Sequence, residues 1–206
     1  MTTARFSDVA DAVTQLARSW SRTVESGVVD VSASTAKSEL MGSAELTPGR
    51  DAAEEAVRRA VGLLSQMPLI EIDLEQLLAL NGTATNGEVG LLRTHDVPEY
   101  GYIAATEVRS ETQRFADRLR SCTPSSLEPN AFLDLLFDIH WSVDLRGHYF
   151  LDGCGRTALL LASWLSWMRQ GFLLNYPSRE RYLRLAVSAD PFADWRREMR
   201  QCNPEL

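Results

Sequence analysis

The apolar positions of the chain fall into two patterns. Residues 132–145 and 158–168 are nearly continuous apolar runs, too long for half-exposed strands, and they predict two buried helices. Other segments show one apolar stripe on a polar background. Val9, Val13, Leu16, Trp20 and Val24 recur at helical spacing between the Ser7-Asp8 cap and Gly27. Thr47-Pro48 opens a second amphipathic helix with Ala53, Val57, Ala60, Val61 and Leu64 on one face, closed by Pro68. Residues 74–80 read as a short helix stopped by Asn81-Gly82, with a loop at 83–87. Residues 90–97 and 100–105 read as two strands around the turn Asp96-Val97-Pro98-Glu99, the one hairpin of the chain. A helix follows at 107–119, then a link at 124–130. Beyond Gly171 come two more helices, one capped by Ser178 and one begun by Asp190-Pro191. The expectation is one all-α domain over residues 1–206 that carries a single β-hairpin.

Composition narrows the setting. At 206 residues the chain has length for one sizeable core, and its 45% apolar and 24% charged content is ordinary for a globular domain. A net charge of −7 argues against non-specific nucleic-acid binding, which needs a basic face. No apolar run reaches membrane-span length, since Arg169 and Gln170 close the longest one, and the N-terminus lacks a signal-peptide core. Cys122, Cys154 and Cys202 are odd in number and lack metal-ligand spacing, so a reducing cytoplasm is the expected location.

The candidate chemistry lies between the two buried helices, in His148-Tyr149-Phe150-Leu151-Asp152-Gly153-Cys154-Gly155-Arg156-Thr157. Gly153 and Gly155 let backbone N–H groups turn toward an anion, and the N-terminus of the following helix adds its positive dipole end. Arg156 has the fork geometry that grips a phosphate, and Asp152 is the hard oxygen ligand that Mg²⁺ prefers. His148 is the group able to take a proton near neutral pH. The residues alone describe a phosphate-transfer site on a helix N-terminus. Phe150 reads as a core anchor, His140 as a packed core histidine, and His95 as facing either solvent or substrate.

This stretch resembles the core motif of Fic (Fido-fold) domains, His-Pro-Phe-x-Asp/Glu-Gly-Asn-Gly-Arg-x-x-Arg. The match covers His148, Phe150, Asp152, Gly153, Gly155 and Arg156; Tyr149 replaces Pro, Cys154 replaces Asn and Leu159 replaces the final Arg. The resemblance implies an all-α Fic/Fido-like fold with a hairpin flap that docks the target, here with Gly90, Arg93 and Tyr102. It implies that His148 deprotonates an acceptor hydroxyl, that Asp152 holds Mg²⁺, and that Gly153, Cys154, Gly155 and Arg156 bind the nucleotide's phosphates. It divides the chain into residues 1–50, a first helix and a degenerate inhibitory segment, and residues 51–206, the Fic core. Thr35-x-x-x-Glu39 is similar to the family's inhibitory Ser/Thr-x-x-x-Glu-Gly/Asn, although Leu40 stands at its last position.

The implied activity is transfer of AMP from ATP onto a hydroxyl side chain of a target protein. Two alternatives stay open. One is transfer of another phosphate-linked group, from a phosphocholine donor, a different nucleotide or a nucleotide sugar. The other is a non-catalytic binding module. The departures keep them open, because in the family the arginine replaced by Leu159 contacts the γ-phosphate and pairs with the inhibitory glutamate. Cys154 adds a third idea, a thiol nucleophile at a helix N-terminus.

Overall fold

The computed structural model describes residues 50–68, 71–85, 90–171 and 173–204, together with Asp11 and Thr14. The first helix predicted from the sequence, apart from those two residues, lies outside the described residues, as does the Thr35–Glu39 segment. Among the described residues there are seven α-helices, joined by short 3₁₀ and π turns: α1 Arg50–Gln66, α2 Leu74–Thr85, α3 Ala105–Arg120, α4 Pro129–His140, α5 Cys154–Gln170, α6 Arg179–Arg184 and α7 Pro191–Cys202. The class is all-α, as the sequence predicts.

The two apolar runs become the centre of the molecule. In α5 every residue from Thr157 to Ser166 is buried, the pattern of a helix surrounded on all sides. It packs against α1, α2 and α4. Helix α4 begins on Pro129 at its first position and buries Phe132, Leu133, Leu136, Phe137, Ile139 and His140. It then widens into a π turn, Trp141–Leu145, which feeds the motif loop. Helix α7 closes this side: Trp195 is fully buried and its indole N–H donates to Leu133 O at 2.8 Å. Gly171, at φ +70°, ends α5 in the left-handed conformation that glycine adopts without strain. No described helix is long and apolar enough to cross a membrane.

Two local expectations need correcting. Helix α2 does not stop at Asn81-Gly82 but runs on to Thr85. Asn81 is tolerated there because its side chain finds partners outside the helix: Nδ2 donates to Asp152 O at 2.9 Å and to Thr157 Oγ1 at 3.0 Å. The hairpin is also absent among the described residues. Residues 91–93 pair instead with the motif loop, through an antiparallel bridge between Leu92 and Phe150. Leu151 N–H donates to Leu91 O and Arg93 N–H to Tyr149 O, both at 2.9 Å. The intended turn is a 3₁₀ turn, Pro98–Tyr100, closed by Gly101 at φ +64°. Ile103 N–H then bonds Arg146 O, so both ends of the segment are tied to the motif loop and not to each other.

Candidate active site

The loop 146–153 leaves the π turn with almost no room to spare. A Cβ on Gly147 would lie 1.7 Å from Ser142 O, so this glycine permits the close approach of loop and turn. The next residue, His148, has φ +45°, a left-handed conformation that side-chain-bearing residues rarely adopt. Arg93 holds it there. That guanidinium is 2% exposed; its Nε donates to His148 O at 3.1 Å, while the two terminal nitrogens reach His95 O, Ile103 O and Gly147 O. Arg93 is therefore a clamp on four carbonyls, and its burial removes it from a target-docking face.

The strained backbone fixes the imidazole. Its ring lies flat on Tyr102, with centroids 4.2 Å apart and planes 4° apart. Nδ1 sits 3.2 Å from Asp144 O. A carbonyl can only accept, so the proton of the neutral ring belongs on Nδ1, which leaves Nε2 as the basic atom. Tyr102, from the predicted flap, thus supports the histidine. Burial, reinforced by the nearby Asp144 carboxylate, raises its phenol above the ordinary value and keeps it neutral.

The three departures from the motif have local explanations. Tyr149 replaces proline where a backbone N–H is used: it donates to Val143 O at 3.3 Å. Cys154 is 3% exposed, and its Sγ accepts from Phe150 N–H at 3.3 Å and donates to Phe150 O at 3.2 Å. Those two groups point away from Leu92 because the neighbouring residues make the bridge. The thiol closes the loop as an amide would, and it faces the core, not an incoming substrate. Leu159 is 1% exposed and packs within the core cluster. Cys154→Ala is expected to strand both Phe150 groups and to cost about 1–3 kcal/mol, whereas Cys154→Asn, able to donate and accept, should stay within about 1 kcal/mol of wild type. Urea denaturation of the two variants measures the difference.

The glycines and the charged pair complete the loop. Gly153, at φ +73°, is the N-cap of α5, and a Cβ there would come within 2.4 Å of Thr85 Cγ2. Gly90 lies against α2, where a Cβ would meet Asn81 Oδ1 at 2.3 Å, so it too is a packing glycine. Arg156 Nη2 pairs with Asp152 Oδ2 at 3.1 Å, and Nη1 donates to Ala84 O. Asp152 keeps a side chain 38% exposed at the mouth of the loop.

Beneath the loop lies a buried polar cluster that sequence reasoning missed. Asp144, in the π turn, places Oδ1 3.9 Å from His148 Nδ1 and accepts at Oδ2 from Tyr182 Oη at 2.9 Å. Arg179 Nη1 stands 3.8 Å from the same oxygen. A Cβ on Gly155 would lie 3.2 Å from Oδ2, so the carboxylate also borders this motif glycine. His140 Nδ1 meets Tyr182 Oη at 3.3 Å. His140 is fully buried, and this desolvation pulls its pKa from 6.5 down to about 4, against the pull of Asp144 and with a smaller push from Arg179.

The folded chain therefore resists a proton that the unfolded chain accepts near pH 6.5. Stability from this group is complete above pH 6.5, is lost as pH falls toward 4, and changes little below that. We expect the loss between pH 7 and pH 4 to be about 3 kcal/mol. Comparing urea unfolding of wild type and His140→Gln at both pH values isolates this contribution; an equal pH dependence in the two proteins would refute it.

Of the residues singled out from sequence, the structure brings His148, Asp152, Gly153, Cys154, Gly155, Arg156, Arg93 and Tyr102 to one loop. Gly90 joins through α2, and Glu39 lies outside the described residues. Asn81, Asp144, Arg179 and Tyr182 join them unannounced. Residues 71–166 match the family model for Fic, the Fic/DOC family, which spans α2 through most of α5. No curated protein gives a significant match to the chain.

Proposed function

We propose that this chain, which carries a Fic/DOC domain over residues 71–166, transfers a nucleoside monophosphate, AMP from ATP, to a hydroxyl side chain of a target protein. The family is in general one of transferases that act on protein targets with nucleotide donors. The observation that carries the reading is the histidine: its Nδ1 meets a carbonyl, which assigns the basic lone pair of the neutral ring to Nε2, and the loop that bears it runs through Gly153 into the N-terminus of α5. In this reading His148 Nε2 takes the proton of the acceptor hydroxyl. The hydroxyl oxygen bonds to the α-phosphorus, and the bond from that phosphorus to the departing pyrophosphate breaks. The N–H groups at Gly153–Gly155 receive the charge on the phosphate oxygens.

Asp152 suits Mg²⁺. Among the described residues no group of three His, Cys, Asp or Glu side chains could hold a metal alone, but Mg²⁺ commonly takes one carboxylate and completes its shell with phosphates and water. When bound, the ion would neutralise charge on the donor's phosphates. Arg156, now paired with Asp152, would then be free to turn to the donor. A target strand would meet this segment at Leu92: Leu91 O and Arg93 N–H bond the motif loop, which directs the backbone groups of Leu92 the other way.

Leu159 favours a second reading of the donor. With an apolar core residue in place of a second arginine, position 159 supplies no cation beyond Arg156 to a γ-phosphate. A donor with a different group beyond the β-phosphate, such as a nucleotide sugar or a phosphocholine nucleotide, is compatible with the same loop. Intact-mass spectrometry with Mg²⁺, a lysate-derived acceptor pool and a panel of ATP, the other nucleoside triphosphates, nucleotide sugars and CDP-choline separates these readings by the mass added. Acceptors that gain no donor-derived mass across the whole panel would overturn the transferase reading.

A further inference from the structure

We propose that Asp144 is a positioning residue for His148, acting through the same imidazole nitrogen with both its main chain and its side chain. The inference deepens the reading of His148 as the proton acceptor and rests on it. The geometry is specific. Asp144 O lies 3.2 Å from His148 Nδ1 and Asp144 Oδ1 lies 3.9 Å from it. The carbonyl fixes which nitrogen carries the proton of the neutral ring. The carboxylate, too far for a hydrogen bond but close for charge, stabilises the imidazolium that forms once Nε2 has taken a second proton.

The carboxylate is itself held. Tyr182 Oη donates to Oδ2 at 2.9 Å, and with its one proton engaged there it can accept from His140 Nδ1–H at 3.3 Å. The chain of donors therefore runs one way, from His140 through Tyr182 into Asp144. Burial raises the Tyr182 phenol well above its ordinary value, consistent with a hydroxyl that stays a donor. On the other side the Arg179 guanidinium, 3.8 Å from Oδ2, draws on the same negative charge and so opposes its effect on the histidine. The Asp144 side chain is only 10% exposed, and a buried ion pair of this kind is weak grounds for stability alone. The π turn accounts for the placement: its wider winding carries residue 144 under the ring and against Gly155, where a side chain in place of hydrogen would crowd the carboxylate.

Charged and titratable groups approach His148 from several elements. Tyr102 stacks on its ring, Arg93 binds its carbonyl, Asp144 faces Nδ1, and Tyr182 and Arg179 approach through Asp144. The chain has three histidines, so ¹⁵N-histidine labelling gives three ring systems, and loss of signals in His148→Ala assigns the relevant one. In the neutral wild-type ring the proton should sit on Nδ1; a ring protonated on Nε2 overturns the proposal. Asp144→Asn, which keeps size and backbone, should lower the His148 titration midpoint by about one pH unit, roughly tenfold in proton affinity. Arg179→Gln should move it upward. Opposite signs from two neighbours cannot come from loss of folding, and Arg179→Gln keeps the test decisive if Asp144→Asn is unstable. An unchanged midpoint in both variants, or shifts of the same sign, overturns the proposal. The titration needs no donor or acceptor, so its outcome is separate from that of the transfer assay: shifted midpoints without transfer by any donor would sink the functional reading and leave this pair standing.

Discussion

His148→Ala is expected to lower the rate of transfer by about two to four orders of magnitude, the usual contribution of a positioned general base. The fold should survive. The imidazole stacks on Tyr102 and meets the Asp144 carbonyl, while the loop that carries it is held by backbone bonds from Leu91, Arg93 and Ile103 and by the Arg93 clamp, none of which uses the ring. Alanine at φ +45° is no more strained than histidine there, so the main energetic loss is packing on Tyr102. A time course of acceptor mass for wild type and variant, with circular dichroism on both, gives the result. Labelling by the folded variant at the wild-type rate would remove His148 from the chemistry, and the remaining loop would be a phosphate-binding site without a base.

The parts of this fold that the sequence reveals are those where one local signal dominates. Residues 132–145 and 158–168 are nearly continuous in apolar residues over lengths that suit buried helices, and they form the helical core. The loop between them is legible because its glycines, carboxylate, arginine and histidine sit close together in the chain. What escaped is set by distant partners. The extended segment 91–104 has strand-like residues, but its backbone groups are satisfied by Tyr149, Leu151 and Arg146, so the pairing that looked local is made with the motif loop. Asn81-Gly82 looks like a helix stop until Asp152 and Thr157 appear beside the amide. Asp144 is the clearest case. Within an apolar run it reads as a break in the pattern, and nothing in its spacing ties it to Gly155, Arg179 or Tyr182. Only the π turn and the docking of α6 bring those residues together, and no periodicity announces either.

The same contrast between local motif and distant packing decides what happens when arginine is put back at position 159. Seen as a motif position, Leu159→Arg restores a cation that would reach a γ-phosphate and improve ATP binding. The structure predicts otherwise. Leu159 is 1% exposed in the hydrophobic core, on a helix whose neighbouring positions, from Thr157 to Ser166, are all buried. An unpaired buried charge should destabilise the protein by about 3–5 kcal/mol, and relief would require the first turns of α5 to move. Since those turns also present Gly155 and Arg156, such movement would weaken the phosphate loop as well. Leu159→Met, close in volume and apolar, is the control and should cost less than about 1.5 kcal/mol. Urea unfolding of both variants, with ATP titrated by calorimetry in Mg²⁺, measures stability and affinity together. If Leu159→Arg is as stable as the methionine variant and binds ATP more tightly than wild type, then α5 has a route for that side chain to the donor, and the site fits ATP. Loss of stability without any gain in affinity would place the donor preference of the site in what lies beyond the β-phosphate.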